Sequence, residues 1–151
     1  MIELKIPPPV LALIMAASMW GCQEPLNVIT FELENKLTIC LWLAALGLLV
    51  DACALWLFMW ARTTVNPIKP NKATALVTSG IYRYTRNPMY VGNFIFLTAW
   101  LIWLGSPLNV VFLIFYVLYM NRFQISVEER ILSEKFGEEY AQFCQSVRRW
   151  I

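Results

Sequence analysis

The sequence predicts an all-α integral membrane protein with about four transmembrane helices and a C-terminal amphipathic helical segment on the cytoplasmic side. Three observations predict it. Of the 151 residues, 59% are hydrophobic and 15% charged, and the mean hydropathy is +0.56, well above what a soluble domain of this size requires for its core. The apolar residues gather into four runs, the last two separated by the turn signal "GSP" at residues 105–107. The basic residues cluster in one loop (Arg62, Lys69, Lys72, Arg83, Arg86) and in the tail (Arg122, Arg130, Lys135, Arg148, Arg149), the distribution expected of cytoplasmic segments.

A membrane-crossing helix takes roughly 20 apolar residues, within a range of about 17 to 25. Residues 6–22 give a short first span, read as a mature span because no strongly basic leader or clear small-residue cleavage site accompanies it. Residues 23–36 carry three glutamates and one lysine and suit the opposite side of the membrane. Residues 37–61 form a long second span, and the polar segment 62–87 is a cytoplasmic loop. Asn87 is a good N-cap and Pro88 suits the first helical position, which starts a third span at 88–104; the "GSP" turn leads antiparallel into a fourth at 107–123. Both are short, and are accommodated by local thinning, by snorkelling ends, or by a partly re-entrant course.

In the tail, 126–151, apolar Leu132, Phe136, Tyr140, Phe143, Val147 and Trp150 recur at steps of three and four, the pattern of an amphipathic helix. Gly137 is expected to divide it into segments near 126–135 and 138–148, lying on the membrane surface or folded back over the loop. Ser126 and Glu129, three apart, read as a capping box. The chain is read as one membrane domain, 1–151, with both termini cytoplasmic, in the inner membrane if the host is bacterial.

The chain has no histidine, which removes the commonest metal ligand and the usual neutral-pH base. Its four cysteines stand singly, without a CxxC pair. Neither a metal site nor a disulfide framework is expected, nor a nucleic-acid partner. Catalysis would have to use carboxylates, arginines, tyrosines, backbone groups or a cofactor.

The stretch "SGIYRYTRNPMYVGN", residues 79–93, concentrates polar and aromatic groups at one membrane edge. A helix N-terminus at 88 attracts an anion, Arg86 adds a fork that can hold a carboxylate at two points, and Tyr82, Tyr84 and Tyr90 offer faces for an adenine ring or a cation. On structural grounds alone the same residues read as a helix start, an aromatic belt and positive-inside charge. Glu128, in "SVEER", is a carboxylate near the basic loop, suited to an ammonium or to ribose hydroxyls. Asp51 lies in mid-span, where an ionisable group costs about 2.5 to 3.5 kcal/mol; it is either functional, or else protonated or paired with an indole N–H or a hydroxyl of a neighbouring helix.

Taken together, "LVTSGIYRYTRNPMYVGN", "VEERIL", "FGEEYAQF" and "VRRW" resemble the isoprenylcysteine carboxyl methyltransferase family of membrane enzymes, in that family's order and spacing over about residues 74–150. Its phospholipid methyltransferase relatives share the Glu-Glu element. The resemblance implies S-adenosylmethionine as methyl donor, bound under the C-terminal segment at the cytoplasmic face. It implies membrane lipids as surroundings and a lipidic or small-molecule acceptor (carboxylate, thiol or amine) entering from the bilayer. By position it places cofactor contacts on Thr74, Ala75, Leu76, Val77, Tyr82, Asn87, Pro88, Met89, Tyr90 and Glu128, with Arg86, Arg122 and Glu129 as candidate catalytic residues. Two positions depart from the pattern: Asn87 stands where the family has histidine, and Gln124 where it has the arginine for a substrate carboxylate. The rival readings are a non-catalytic binding or assembly module on the same scaffold and a small transporter, the latter supported by Asp51.

Overall fold

The computed structural model describes residues 6–26, 29–62 and 73–151. Lys69 and Lys72, with most of the expected 62–87 loop up to residue 72, lie outside the described residues. The described chain is helical, in the order α1 (Pro8–Gly21), α2 (Gln23–Leu26), α3 (Lys36–Trp60), α4 (Pro88–Leu104), α5 (Val110–Tyr119) and α6 (Ser126–Ser146).

Each apolar run becomes a helix close to its expected bounds. Proline opens both α1 and α4, where its missing N–H costs nothing. Gly105, with φ of 70°, closes α4 and turns the chain through a short 3-10 segment, Pro107–Asn109, into α5. At 25 residues α3 is about 37 Å long, enough to cross a hydrocarbon core of about 30 Å. The continuous helical stretch Pro107–Ser146 is the second one long and apolar enough to cross, while α1 and α4 are shorter apolar helices. Only 17% of the most apolar window of α3 is buried within the protein, and Trp42, Leu48, Trp56, Met59 and Trp60 lie exposed on it. A soluble protein does not leave a helix so bare, and the chain is a membrane protein.

Helix α3 packs chiefly on α4. The close approach falls at Gly92, where an added Cβ would overlap the Asp51 carboxyl group; a small residue lets the two backbones meet. Asp51 Oδ1 is buried there with no hydrogen-bond partner among the described residues. The Cys40 thiol reaches Ala99 O at 3.3 Å, and the Trp100 indole donates to Ala16 O at 3.0 Å, tying α4 to α1. Leu11, Met15, Met19, Leu97, Leu113 and Tyr116 fill the core shared by α1, α4 and α5.

Two sequence expectations are corrected beyond α5. The fourth helix does not stop at 123: it continues through a π-helical turn, Met120–Ile125, directly into α6. No helix N-terminus therefore exists at Ser126, and the capping box is not formed. The Ser126 hydroxyl instead donates to Arg122 O at 2.8 Å, one turn back. The expected break at Gly137 is present, with φ 52° and ψ −120° inside the tail helix. Of the two courses open to the tail, it takes the second. Tyr140, Phe143 and Val147 fold back and form a second core with Ala54, Val77 and Tyr82.

Candidate functional site

The second core encloses a cavity of about 270 Å³, just under the range of small-molecule sites, roughly 300 to 1,000 Å³. Five parts of the chain build it, the start of α1 among them through Pro8 and Pro9. The end of α3 contributes Leu55 and Phe58, residues 73–87 supply one wall, the first turn of α4 a second, and α6 the roof through Leu132, Tyr140 and Phe143. Phe58 meets the Tyr82 ring edge-on at 5.5 Å, which fixes an aromatic corner. Burial and the nearby Glu128 and Asp51 carboxyls push the Tyr82 hydroxyl well above its ordinary range, so it stays a neutral phenol.

The polar focus is Glu128. Its Oε1 accepts a hydrogen bond from the Tyr90 hydroxyl at 2.6 Å and another from the Gln124 side-chain amide at 2.5 Å. Gln124 and Glu128, four apart, lie on one side of the helix, and Glu128 faces Tyr90 of α4. Burial pushes the Glu128 carboxyl up to about 7, against the lowering effect of its two hydrogen bonds and with a smaller upward push from Glu129. A carboxyl so poised takes up a cation readily, because a positive ligand offsets the desolvation that holds it protonated.

Glu129 has a different role from the cap expected of it. One oxygen lies 3.0 Å from an Arg86 guanidinium nitrogen and accepts from Arg149 Nε at 3.0 Å; the other meets Arg149 Nη2 at 2.6 Å. Glu129 raises the Arg149 guanidinium further above its already high value. Residues 147–150 are thereby stitched down. Arg86 N–H donates to Arg148 O at 3.0 Å, the Asn87 amide donates to Arg149 O at 2.9 Å, and Thr85 Oγ1 to the same oxygen at 3.3 Å. The Trp150 indole donates to Asn121 Oδ1 at 2.9 Å. Arg86 Nε remains buried without a partner among the described residues.

Most residues singled out in the sequence meet here. Ala75, Leu76, Val77, Tyr82, Asn87, Pro88, Met89, Tyr90 and Glu128 all line the cavity, as do Arg86 and Glu129. Three of the residues singled out lie outside the lining. Thr74 is exposed and turns its hydroxyl to Arg62 O. Arg122 is exposed and lies outside the lining, because the helix carries it to a face other than that of Gln124. Tyr84 is 76% exposed. The helix N-terminus also offers less to an anion than expected: Pro88 has no N–H, Tyr90 and Val91 donate to Asn87 O, and the Asn87 N–H is held by Thr85 Oγ1.

Sequence reasoning missed Pro8, Pro9, Phe58 and Asn93 in the lining. It read Tyr140 and Phe143 as the apolar face of the tail without knowing what that face covers.

The sequence profile of phospholipid methyltransferases matches residues 36–139, a stretch that contains α3 to α5 and the carboxylate pair. An uncharacterized protein of Haemophilus influenzae is 44% identical over 63 residues, 42% of this chain and 100% of that protein. The protein-S-isoprenylcysteine O-methyltransferase of Schizosaccharomyces pombe is 39% identical over 82 residues, covering 52% of this chain and 34% of the enzyme. That of Rattus norvegicus is 32% identical over 130 residues, 79% of this chain and 46% of the enzyme. The chain thus spans less than half the length of either named enzyme. The profile match over most of the chain, together with these relatives, establishes that it belongs to the phospholipid methyltransferase family and is isoprenylcysteine methyltransferase-like.

Proposed function

We propose that this protein transfers a methyl group from S-adenosylmethionine to a lipidic or small acceptor reached from the membrane, at a site on the cytoplasmic side of four spans whose two termini also face the cytoplasm. The observation that carries the reading is the convergence of Tyr90 and Glu128 on one cavity bounded by residues 73–90 and the folded-back tail.

The groups present fit the donor. Glu128 suits its ammonium or ribose hydroxyls, and the unpartnered Arg86 Nε suits a carboxylate. The Phe58–Tyr82 corner and the apolar walls suit an adenine. When bound, the donor supplies a sulfonium-borne methyl carbon, to which an acceptor lone pair bonds as the carbon–sulfur electron pair returns to sulfur. The chain's own part is to bind, align and keep water out. Alignment of this kind can supply roughly 7 to 11 kcal/mol in favourable intramolecular cases, so the lack of histidine is no obstacle. Gln124, a neutral side chain engaged with Glu128, leaves a carboxylate, a thiol or an amine open as the nucleophile.

Calorimetric titration of S-adenosylmethionine into the purified protein in detergent tests the reading: saturable binding supports it, and a folded wild type that binds no donor overturns it. Incubation of labelled donor with native membrane lipids and with small thiols then identifies the acceptor.

A further inference from the structure

Asp51 is the one acid of α3, and methyl transfer as described above gives it no task. Its face of the helix belongs to the site. Ala54, one turn on, is buried in the second core, and Leu55 and Phe58, next along the same stripe, line the cavity. Asp51 therefore stands one turn below the lining, deeper in the span. Across the interface its carboxyl lies against Gly92 of α4, which falls between Tyr90 and Asn93 of the cavity wall. Its charge reaches the Tyr82 phenol on that wall and the Tyr116 phenol of α5. The Tyr90 phenol of α4, Glu128 of α6, which also acts on Tyr82, and the exposed Cys53 of α3 complete the titratable groups around it. Asp51 Oδ1 is buried without a hydrogen-bond partner among the described residues, so no such bond offsets the cost of carrying the acid into the span.

We propose that Asp51 is the proton acceptor of the methyl transfer, and that the acceptor is a nucleophile that enters carrying its own proton, a thiol or an ammonium, rather than a carboxylate. The inference rests on the methyl-transfer reading above and narrows its acceptor. The charges of the cavity support it. Arg86 is the basic side chain of the lining among the described residues; Glu129 engages it at 3.0 Å, and its Nε is assigned to the donor's carboxylate. Gln124 is neutral and Arg122 lies outside, so no cation of the lining is left for a second carboxylate, while Glu128 and Asp51 would repel one. Thiols and amines, with ordinary values of about 8.5 and 10.4, are mostly protonated at neutral pH, whereas a carboxylate is already ionised. A base is of use only to the first two. In the step, the Asp51 carboxylate takes the S–H or N–H proton, directly or through one water. The lone pair so exposed bonds to the methyl carbon as the carbon–sulfur pair returns to the donor's sulfur, and Asp51 then releases the proton to water.

The test uses the full chain in lipid nanodiscs with saturating labelled S-adenosylmethionine and three probes: dodecanethiol, dodecylamine and dodecanoic acid. The wild type should methylate the thiol or the amine in preference to the acid. The isosteric Asp51→Asn should keep its donor affinity by titration and lose roughly 100- to 10,000-fold in kcat. With the thiol, that deficit should narrow by about tenfold per pH unit as the pH approaches the thiol's own ionisation, because solution then removes the proton; a merely structural lesion would not be rescued this way. A second readout needs no donor. Dicyclohexylcarbodiimide should modify Asp51, and the thiol or amine should protect it several-fold where dodecane does not. A preference for dodecanoic acid, an Asp51→Asn as active as the wild type, a deficit that pH leaves unchanged, or protection no better than that of dodecane would each overturn the inference. A wild type that binds no donor, or that methylates none of the probes and no native lipid or small thiol, would strike the methyl-transfer reading instead.

Discussion

The Tyr90 hydroxyl donates to Glu128 Oε1 across 2.6 Å, joining the first turn of α4 to the start of α6 across 38 positions of sequence. This contact brings the chain's two most chemically loaded stretches to one point, and it sets the first prediction. Glu128→Gln should weaken S-adenosylmethionine binding by about 1.5 to 3 kcal/mol, the worth of a hydrogen bond to a charged group. Tyr90→Phe should weaken it less, because it removes only the group that orients the carboxylate. Isothermal titration of each variant checks this ordering, and equal affinities in wild type and Glu128→Gln would remove Glu128 from the site.

The pH dependence follows from Glu128, whose carboxyl burial pushes up to about 7. A cationic ligand needs the ionised form, so donor affinity should rise with pH through about 7 and level off above it, with a proton released on binding below that point. For stability the sign is the reverse. A carboxyl whose folded value exceeds its ordinary value of 4.5 binds more protons in the folded state, so stability should fall as pH rises from 4.5 to about 7. Titrations in buffers of different ionisation enthalpy measure the released proton, and Glu128→Gln should abolish both effects.

Glu129 sits between two guanidinium groups, and its loss should cost more than the loss of either bond alone. The Arg86 and Glu129 side chains are 13% and 19% exposed, whereas Arg149 is 36% exposed. Glu129→Ala leaves the largely buried Arg86 without this counter-charge, and about 2 to 3 kcal/mol of destabilisation is expected, below the 3 to 5 of a fully buried pair. Arg149→Ala should cost about 1 kcal/mol or less, as for an exposed pair. Thermal unfolding in detergent ranks the two variants, and limited proteolysis should find the last residues freed in both.

The α3–α4 contact predicts a coupled pair. Gly92→Ala places a methyl group on the Asp51 carboxyl and should destabilise by about 1 to 3 kcal/mol, the usual cost of overpacking. Asp51→Ala should relieve most of it, so the double variant should be more stable than Gly92→Ala alone. Additive losses across the four proteins would show that the two side chains do not compete for one space.

Much of this was legible in the sequence because lipid imposes a simple rule. Runs of apolar residues must become helices that satisfy their own backbone, and the "NPMY" start and the "GSP" turn mark ends that depend only on local chemistry. The motif at 79–93 and Glu128 stood out by their chemistry, and the fold brings them to one cavity. What failed depended on the third dimension. Ser126 and Glu129 satisfy the spacing of a capping box, but the chain arrives at them already helical. Thr74, Tyr84 and Arg122 have chemistry that fits the site, yet their backbone positions turn them outward. The proline pair Pro8 and Pro9 and the amide of Asn93 reach the cavity because α1 packs against α4, a pairing that no local pattern encodes.

The π-helical turn at Met120–Ile125 acts as a phase adjuster between the membrane bundle and the tail. Rewinding it to ordinary α geometry without shortening it would swing everything downstream by up to about 100°. The tail would remain a sound helix with its acids intact, aimed at the wrong quadrant. A change that makes this segment wind as an α-helix at full length should therefore disturb the site more than a deletion of one residue, which removes the bulge and keeps the phase.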